Sequence, residues 1–260
     1  MKNLEQGYKT IKDLVKILSL FITVQGEEKS VTEISKVVGM HPSKVSRMLR
    51  SLESAGFFEK SLESGKFRLG IPFFELGISY VSNLPLRKII RPHVEQIAKE
   101  CNLTSSWAIL KDSKVIVIDR VQNFNPDLLT HTIGLNVPFH CTSTGKVLLA
   151  YLSEEEQDRI LESTNLLKFT DRTIVDRNLI RENLKLIREK GYATDEEETH
   201  KDVNCMAAPI RNDAGVVIAA INMMDYKLRT CPEDFFKLAD YLMEKALFIS
   251  RQLGYRRAGF

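Results

Sequence analysis

A chain of 260 residues with 43% hydrophobic and 27% charged side chains has room for one large or two modest globular domains. No apolar run approaches the roughly 20 residues of a membrane span, and the opening MKNLEQGYKTIKDLVK lacks the apolar stretch of a secretion signal, so the expectation is a cytoplasmic protein with no membrane partner. The net charge of +3 is unevenly held: residues 1–70 carry 12 Lys and Arg against 8 Asp and Glu, leaving 25 against 26 for the remainder. The first quarter is therefore the part suited to a polyanion.

In chain order, that first quarter reads as three helices and a hairpin. From Tyr8 to about Val24, the residues Ile11, Leu14, Val15, Leu18 and Phe21 form an amphipathic stripe. In SVTEISKVVGM, Ser30 or Thr32 caps a short helix, Glu33 stands where a capping box needs it, and Gly39 supplies the terminal turn. In MHPSKVSRMLRSLESAGF, Pro42 suits the first turn and Val45, Met48, Leu49 and Leu52 recur at helical spacing. The other side of this third helix is basic and hydroxylated, with no acid before Glu53. FFEKSLESGKFRLG then gives two short strands, 57–60 and 66–69, around a Glu-Ser-Gly turn.

Helix, tight turn, helix and hairpin make a winged helix-turn-helix, whose second helix enters the DNA major groove. The apolar stripe packs inward, while Ser43, Lys44, Ser46, Arg47 and Arg50 are expected to face phosphates and base edges. Lys60, Lys66 and Arg68 in the wing would add contacts to the DNA backbone. The domain is assigned to residues 1–70, a linker helix with Phe73, Phe74 and Tyr80 to 71–84, and a second domain to 85–260.

Beyond Cys101 the periods change. TSSWAILKD and KVIVIDRVQ read as a hairpin, and DLLTHTI as a further strand. TGKVLLAYL, SEEEQDRILEST and DRNLIRENLKLIREKGY read as helices, the second capped by Ser153 and the third ended by Gly191. YATDEE, VNCMAAPIR and GVVIAAINMM follow as strands, and CPEDFFKLADYLMEKALFISRQLGY as one closing helix. Strands bracketed by helices in non-alternating order argue an α+β fold with an antiparallel sheet.

The whole chain resembles IclR-family transcriptional regulators. The stretches that carry the resemblance are VTEISKVVGMHPSKVSRMLRSLESAGF, GKFRLG, VPFHCTSTGKVLLAYL, RTIVDRNL, IREKGYATDEEE and CMAAPIRNDAGVVIAAI, in the family's order over nearly the full length. The resemblance implies a C-terminal effector domain of GAF-like fold, a homodimer or tetramer, a palindromic double-stranded DNA operator and a small organic effector, often a carboxylic acid or aromatic compound. It implies no cofactor.

HCTSTGKV (140–147) departs from a phosphate loop, with His140 where the first Gly belongs and Val147 where Ser or Thr belongs. It remains a loop of hydroxyl residues opening a helix at about Thr144, where free N–H groups attract an anion; Thr142 or Ser143 acting only as a helix cap is the plainer reading. By resemblance, Ser143, Thr144 and Gly145 line the effector cavity, with Val203, Cys205, Asn222 and Met224 as the facing wall. The acidic run Asp195–Glu198 reads first as a solvated face, though a member of it could hold a ligand hydroxyl. Asp202 stands where the family usually has glycine, and Asn222 and Met224 where it often has small hydroxyl residues, so the ligand's identity stays open.

His140, Cys141, His200 and Cys205 lack metal-ligand spacing, and no metal is expected. No nucleophile elbow, HExxH or dinucleotide fingerprint occurs. The leading expectation is thus a DNA-binding transcriptional regulator modulated by a small effector. Its rivals are a constitutive dimeric regulator with a vestigial pocket and an enzyme carrying an accessory helix-turn-helix.

Overall fold

The computed structural model describes residues 2–22, 28–122 and 133–256. The chain divides at the Leu84–Pro85 junction into two compact units, each described by itself.

The first unit runs α1 (Lys2–Ser19), α2 (Val31–Val38), α3 (Pro42–Ser54), β1 (Phe58–Lys60), β2 (Phe67–Leu69) and α4 (Ile71–Ser82). The capping box opens α2 as expected: the Ser30 hydroxyl accepts from Glu33 N–H at 3.2 Å, and the Glu33 carboxylate accepts from Ser30 N–H at 2.6 Å. Gly39 then takes the left-handed conformation, φ 66°, that ends α2. Pro42 is the first residue of α3, and its cap is His41, whose Nδ1 accepts from Ser43 N–H at 3.3 Å. Ile17, Phe21, Ile34, Val45, Leu49, Phe58 and Phe67 make one small core, with the rings of Phe21 and Phe58 edge to face at 4.8 Å. β1 and β2 pair antiparallel, Phe58 opposite Leu69.

One expectation here is corrected. Ile11 and Val15 are exposed on α1, and the inward face is instead Asp13, Leu14, Ile17, Leu18 and Phe21. The helix carries two apolar stripes, and the tertiary core takes the one with Ile17. In α4, Phe73 packs on Phe57 and Phe58 at 5.4 and 5.9 Å. Phe74 and Tyr80 do face outward.

The second unit runs α5 (Pro85–Cys101), β3 (Thr104–Lys111), β4 (Lys114–Val121), β5 (Asn136–Val137), α6 (Ser143–Ala150), α7 (Glu154–Ser163), α8 (Arg177–Lys190), β6 (Ala193–Glu196), β7 (Val203–Arg211), β8 (Val217–Tyr226), α9 (Pro232–Phe236) and α10 (Ala239–Gln252). Among the described residues the strands form one antiparallel sheet in the order β5-β4-β3-β8-β7-β6, which is the expected α+β class. Asp112 and Ser113, both at positive φ, close the β3–β4 hairpin. Residues 127–132 of the strand expected in DLLTHTI lie outside the described residues. The single closing helix is in fact α9 and α10, interrupted at Lys237–Leu238 without any Gly or Pro to announce it.

The strands' period of two gives the sheet two distinct faces. Ala108, Ala193, Ala207 and Ala220 lie on one, in a core with Val147, Leu148 and Leu149 of α6 and Ile180, Leu184 and Ile187 of α8. The small side chains let α6 lie close to the strands. The opposite face holds Trp107, Met206, Ala208, Ile221 and Met223, all fully buried, and meets α5 and α10.

Candidate functional site

On α3, Val45 and Leu49 are buried while Ser43, Arg47 and Arg50 are exposed and Lys44 and Ser46 half-buried. Ser43, Ser46, Arg47, Arg50, Ser51 and Ser54 line one shallow groove along the outer side of the helix. The expected basic residues separate by their partners. Lys44 bonds to Asp13 of α1, and this hydrogen bond holds the Asp13 carboxyl below its usual range. Lys66 lies 3.5 Å from Glu33, and Arg68 2.8 Å from Glu59. Lys60 sits over the Phe67 ring at 5.9 Å. Arg47 and Arg50 form no ion pair among the described residues, so both guanidinium groups are left to solvent or a polyanion. The Ser43 hydroxyl is 2.8 Å from His41 Nδ1.

At the second candidate site, Thr142 caps α6: its Oγ1 accepts from Gly145 N–H at 3.1 Å and donates to the Pro138 carbonyl at 2.5 Å. Gly145 therefore has its N–H already engaged. A Cβ there would stand 2.4 Å from Phe139 Cα, so the glycine permits close backbone packing at the start of α6. Ser143 and Thr144 are fully buried, and their hydroxyl oxygens have no partner among the described residues. Their N–H groups belong to the first helical turn, which has no helical acceptors of its own.

The sheet brings the facing residues together as expected. Cys205 pairs with Met224 and Val203 with Tyr226 across β7–β8, and Ala207 with Asn222. Thr104 pairs with Met224 and Ser106 with Asn222 across β3–β8, and Arg120 lies opposite Ser106 on β4. By alternation all of these belong to the face that meets α6. Val203, Cys205 and Met224 pack together with Tyr226 beside them, and burial pushes the Cys205 thiol well up. Asn222 is fully buried; its Oδ1 accepts from the Ser106 hydroxyl at 2.7 Å, and its Nδ2 has no partner among the described residues.

Charge surrounds this wall. Asp195 on β6 lies opposite Cys205 and accepts from the Thr199 hydroxyl and, at 2.8 Å, from Glu198 N–H. Burial nonetheless pushes its pKa up. Lys146 of α6 pairs with Glu198, both buried, and burial raises Glu198 as well; Glu198 Oε2 is without a hydrogen bond among the described residues. Burial lowers Arg120, with Cys205 and Tyr226 acting in the opposite sense. His140 meets the Leu167 carbonyl through Nε2 at 3.0 Å and is held below its usual range by burial.

Sequence reasoning missed Ser106, Arg120 and Lys146. The signal was present in TSSWAIL and VIDRVQ, where strand alternation fixes which side chains share a face. Which strand lies beside which cannot be read from one sequence. Among the described residues, no three His, Cys, Asp or Glu side chains are grouped to hold a metal ion, and no helix is long and apolar enough to cross a membrane.

Comparison with known proteins bears on both sites. Residues 14–61 match the IclR helix-turn-helix domain, and residues 78–251 match the bacterial transcriptional regulator IclR C-terminal domain. The HTH-type transcriptional regulator XynR of Escherichia coli is 30% identical over 247 residues, 95% of this chain and 98% of XynR. The IclR crystal structure from Thermotoga maritima superposes with TM-score 0.69 at 26% identity, covering 97% of this chain and 100% of that one. An IclR homologue from Microbacterium hydrocarbonoxydans, complexed with 4-hydroxybenzoate, shares the fold with TM-score 0.77 at 24% identity over 94% of this chain and 98% of that one. Such relatives are regulators rather than enzymes. A winged helix whose two arginines have no counter-ion among the described residues, an effector-type α+β domain and similarity over 95% of the chain together identify it as a member of the IclR family of DNA-binding, effector-responsive transcriptional regulators.

Proposed function

We propose that α3 reads a palindromic operator with Arg47 and Arg50 at base edges and Ser43 and Ser46 at phosphates, in a cytoplasmic homodimer or a tetramer built from it. The carrying observation is the contrast in pairing: Arg47 and Arg50 have no counter-ion among the described residues, whereas Lys44, Lys66 and Arg68 have theirs. Lys60, Lys66 and Arg68 belong to a secondary, sequence-independent contact, with the latter two exchanging an acid for phosphate. Dimerisation is supported by two apolar stripes left outside the first unit's core, Tyr8–Ile11–Val15 on α1 and Ile71–Phe74–Ile78 on α4, each at helical spacing. One winged helix also contacts too few base pairs for genomic specificity. Footprinting on an operator selected from random DNA tests this reading: two half-sites in inverted repeat are expected, and a single asymmetric half-site bound by a monomer in sedimentation would overturn it.

In the second unit, the effector occupies the space between the start of α6 and the sheet wall. Ser143 and Thr144 supply hydroxyl and first-turn N–H groups for a carboxylate, and Val203, Cys205, Asn222 and Met224 form the wall. The buried polar atoms without partners support this, since such atoms are costly unless a ligand meets them. The homologue that binds 4-hydroxybenzoate supports a small organic acid. The test is a thermal-shift screen of small acids on the wild type and Ser143→Trp, whose indole fills the space. A ligand that stabilises both equally would move the effector site elsewhere, and no response from any acid favours the constitutive regulator.

A further inference from the structure

Two guanidinium groups of the second unit converge on one short segment, Ala150–Leu152, at the end of α6. Arg188 of α8 donates through Nε to the Ala150 carbonyl and through Nη2 to the Leu152 carbonyl at 3.3 Å. Arg211, at the end of β7, stacks on the ring of the intervening Tyr151 at 4.5 Å. The Tyr255 ring lies 5.9 Å from the same guanidinium, whose Nη1 donates to the Gly215 carbonyl at 2.9 Å. Neutral carbonyls and rings thus fix the direction of both groups and leave their charge uncompensated. Arg87, Arg91, Arg181 and Arg229 of the same unit are instead met by carboxylates. With Lys190 at the end of α8, Arg188 and Arg211 line a cavity of about 340 Å³, a size that holds a small ligand. None of the three forms an ion pair among the described residues, and one acid, Glu189, shares the lining. Pro209 and Leu247 give the cavity an apolar side. It lies at the last turn of α6, whereas Ser143 and Thr144 of the effector site are in the first.

We infer that this cavity is a second ligand site, separate from the effector site, and that it takes a small phosphate monoester. Charge and geometry select the class. Three cations against one carboxylate leave a local excess of two positive charges, and a phosphomonoester near pH 7 carries about −1.5 to −2 with three acceptor oxygens. A monocarboxylate or a DNA phosphodiester brings only one charge. The planar guanidinium fork meets phosphate oxygens pairwise, and Lys190 adds a point charge. Because the arginines are already pinned, little side-chain freedom is lost on binding. The organic part of the ester lies along Pro209 and Leu247.

The experiment is isothermal titration of the full chain, at constant ionic strength, with phenyl phosphate and with benzenesulfonate, a monoanion of similar shape. The wild type binds phenyl phosphate about 10-fold or more tightly than benzenesulfonate. Arg211→Gln weakens phenyl phosphate binding about 10-fold, and Arg211→Lys, which keeps the charge and loses the fork, falls between it and the wild type. Lys190→Gln changes an exposed side chain, weakens binding about threefold, and carries the test if the Arg211 variants do not fold. Lys88→Gln, which removes an exposed charge from α5, leaves binding unchanged and controls for net charge. Ser143→Trp leaves it unchanged as well, because its indole fills the other site. Binding that is lost in Ser143→Trp, or that survives undiminished in both Arg211→Gln and Lys190→Gln, overturns the inference. So does a wild type that binds both probes equally or neither. A random DNA duplex is the last arm: weaker duplex binding by Arg211→Gln and Lys190→Gln, with no binding of phenyl phosphate, would assign these cations to the DNA backbone instead.

Discussion

The two faces of the six-stranded sheet are made by the same strands, yet they treat buried polar groups differently. On the side of α5 and α10, Asp119 is met by Arg87 at 2.9 Å and Arg91 at 2.5 Å, and Asp225 by Arg229 at 2.9 Å and the Thr230 hydroxyl at 2.6 Å. Charges there are neutralised by neighbours from the same unit. On the side of α6, Ser143 Oγ, Thr144 Oγ1, Asn222 Nδ2 and Glu198 Oε2 have no hydrogen-bond partner among the described residues. The Trp107 indole and the Asn204 amide, with Arg87 Nε, His93 Nδ1 and Asp119 Oδ2, also lack a hydrogen-bond partner on the first face among the described residues, although Arg87 and Asp119 remain ion-paired. Because satisfied buried groups stabilise a fold and unsatisfied ones cost it, the ion pairs of the first face support the fold, while the second face carries unpaired groups suited to the ligand proposed for it. The winged helix repeats the pattern at its surface, with Lys44 paired and Arg47 free of ion pairs among the described residues.

Substitutions on opposite faces should break the comparison if it is wrong. The largest effect is expected for Asp119→Ala, which strips two arginines of their shared carboxylate. Breaking a buried pair from one side costs about 3 kcal/mol, here nearer 2 because the arginines are about a third exposed. Urea unfolding measures it, and a loss below 0.5 kcal/mol, the ordinary surface range, would remove the distinction between the faces. Next, Arg47→Ala should cost about 1–3 kcal/mol of operator affinity and relax specificity. Lys66→Ala, already paired with Glu33, should weaken all sequences slightly and alike in mobility-shift titrations. Equal losses in the two variants would mean that intramolecular pairing does not rank DNA contacts.

A smaller effect follows from Asp195 and Glu198, whose burial raises their pKa above the ordinary 3.8 and 4.5. A raised acid binds its proton more tightly in the folded state, so stability falls as pH rises from those values through the folded pKa. Asp195→Asn should flatten that decline in melting temperatures recorded at increasing pH, and an unchanged slope would show that burial of Asp195 carries no cost. The smallest change belongs to Ser143→Ala: deleting a buried hydroxyl without a partner removes a desolvation cost and should raise folding stability by about 1 kcal/mol, with calorimetry as the check and a loss of stability as the contrary result.

Local chemistry made much of the fold legible. Ser30 with Glu33, Pro42, Ser153 and Gly191 each mark a helix boundary through a hydrogen bond or a backbone angle set within four residues. What escaped was set at longer range. Asp13 and Lys44 meet across 31 positions and Ser106 and Asn222 across 116, so no window of sequence contains them. The exposed Ile11 and the buried Ile17 have the same hydrophobic chemistry, and only packing of α1 against α2 and α3 selects between them. The proposed effector-wall residues Cys205, Asn222 and Met224 come from resemblance, whereas the placement of Ser106 and Arg120 beside them needs the strand order.

Asp119 and Arg120 are consecutive, and strand alternation sends them to opposite faces of β4. One anchors the first turns of α5, the helix that begins where the chain leaves the DNA-binding unit; the other borders the effector wall. Next to them the β3–β4 register shifts between Trp107 and Ala108, placing Ile118 as an extra residue, and such bulges are where a strand can re-aim its side chains. One dipeptide therefore gives one side chain to the ion pairs that hold α5 and the other to the face that meets α6.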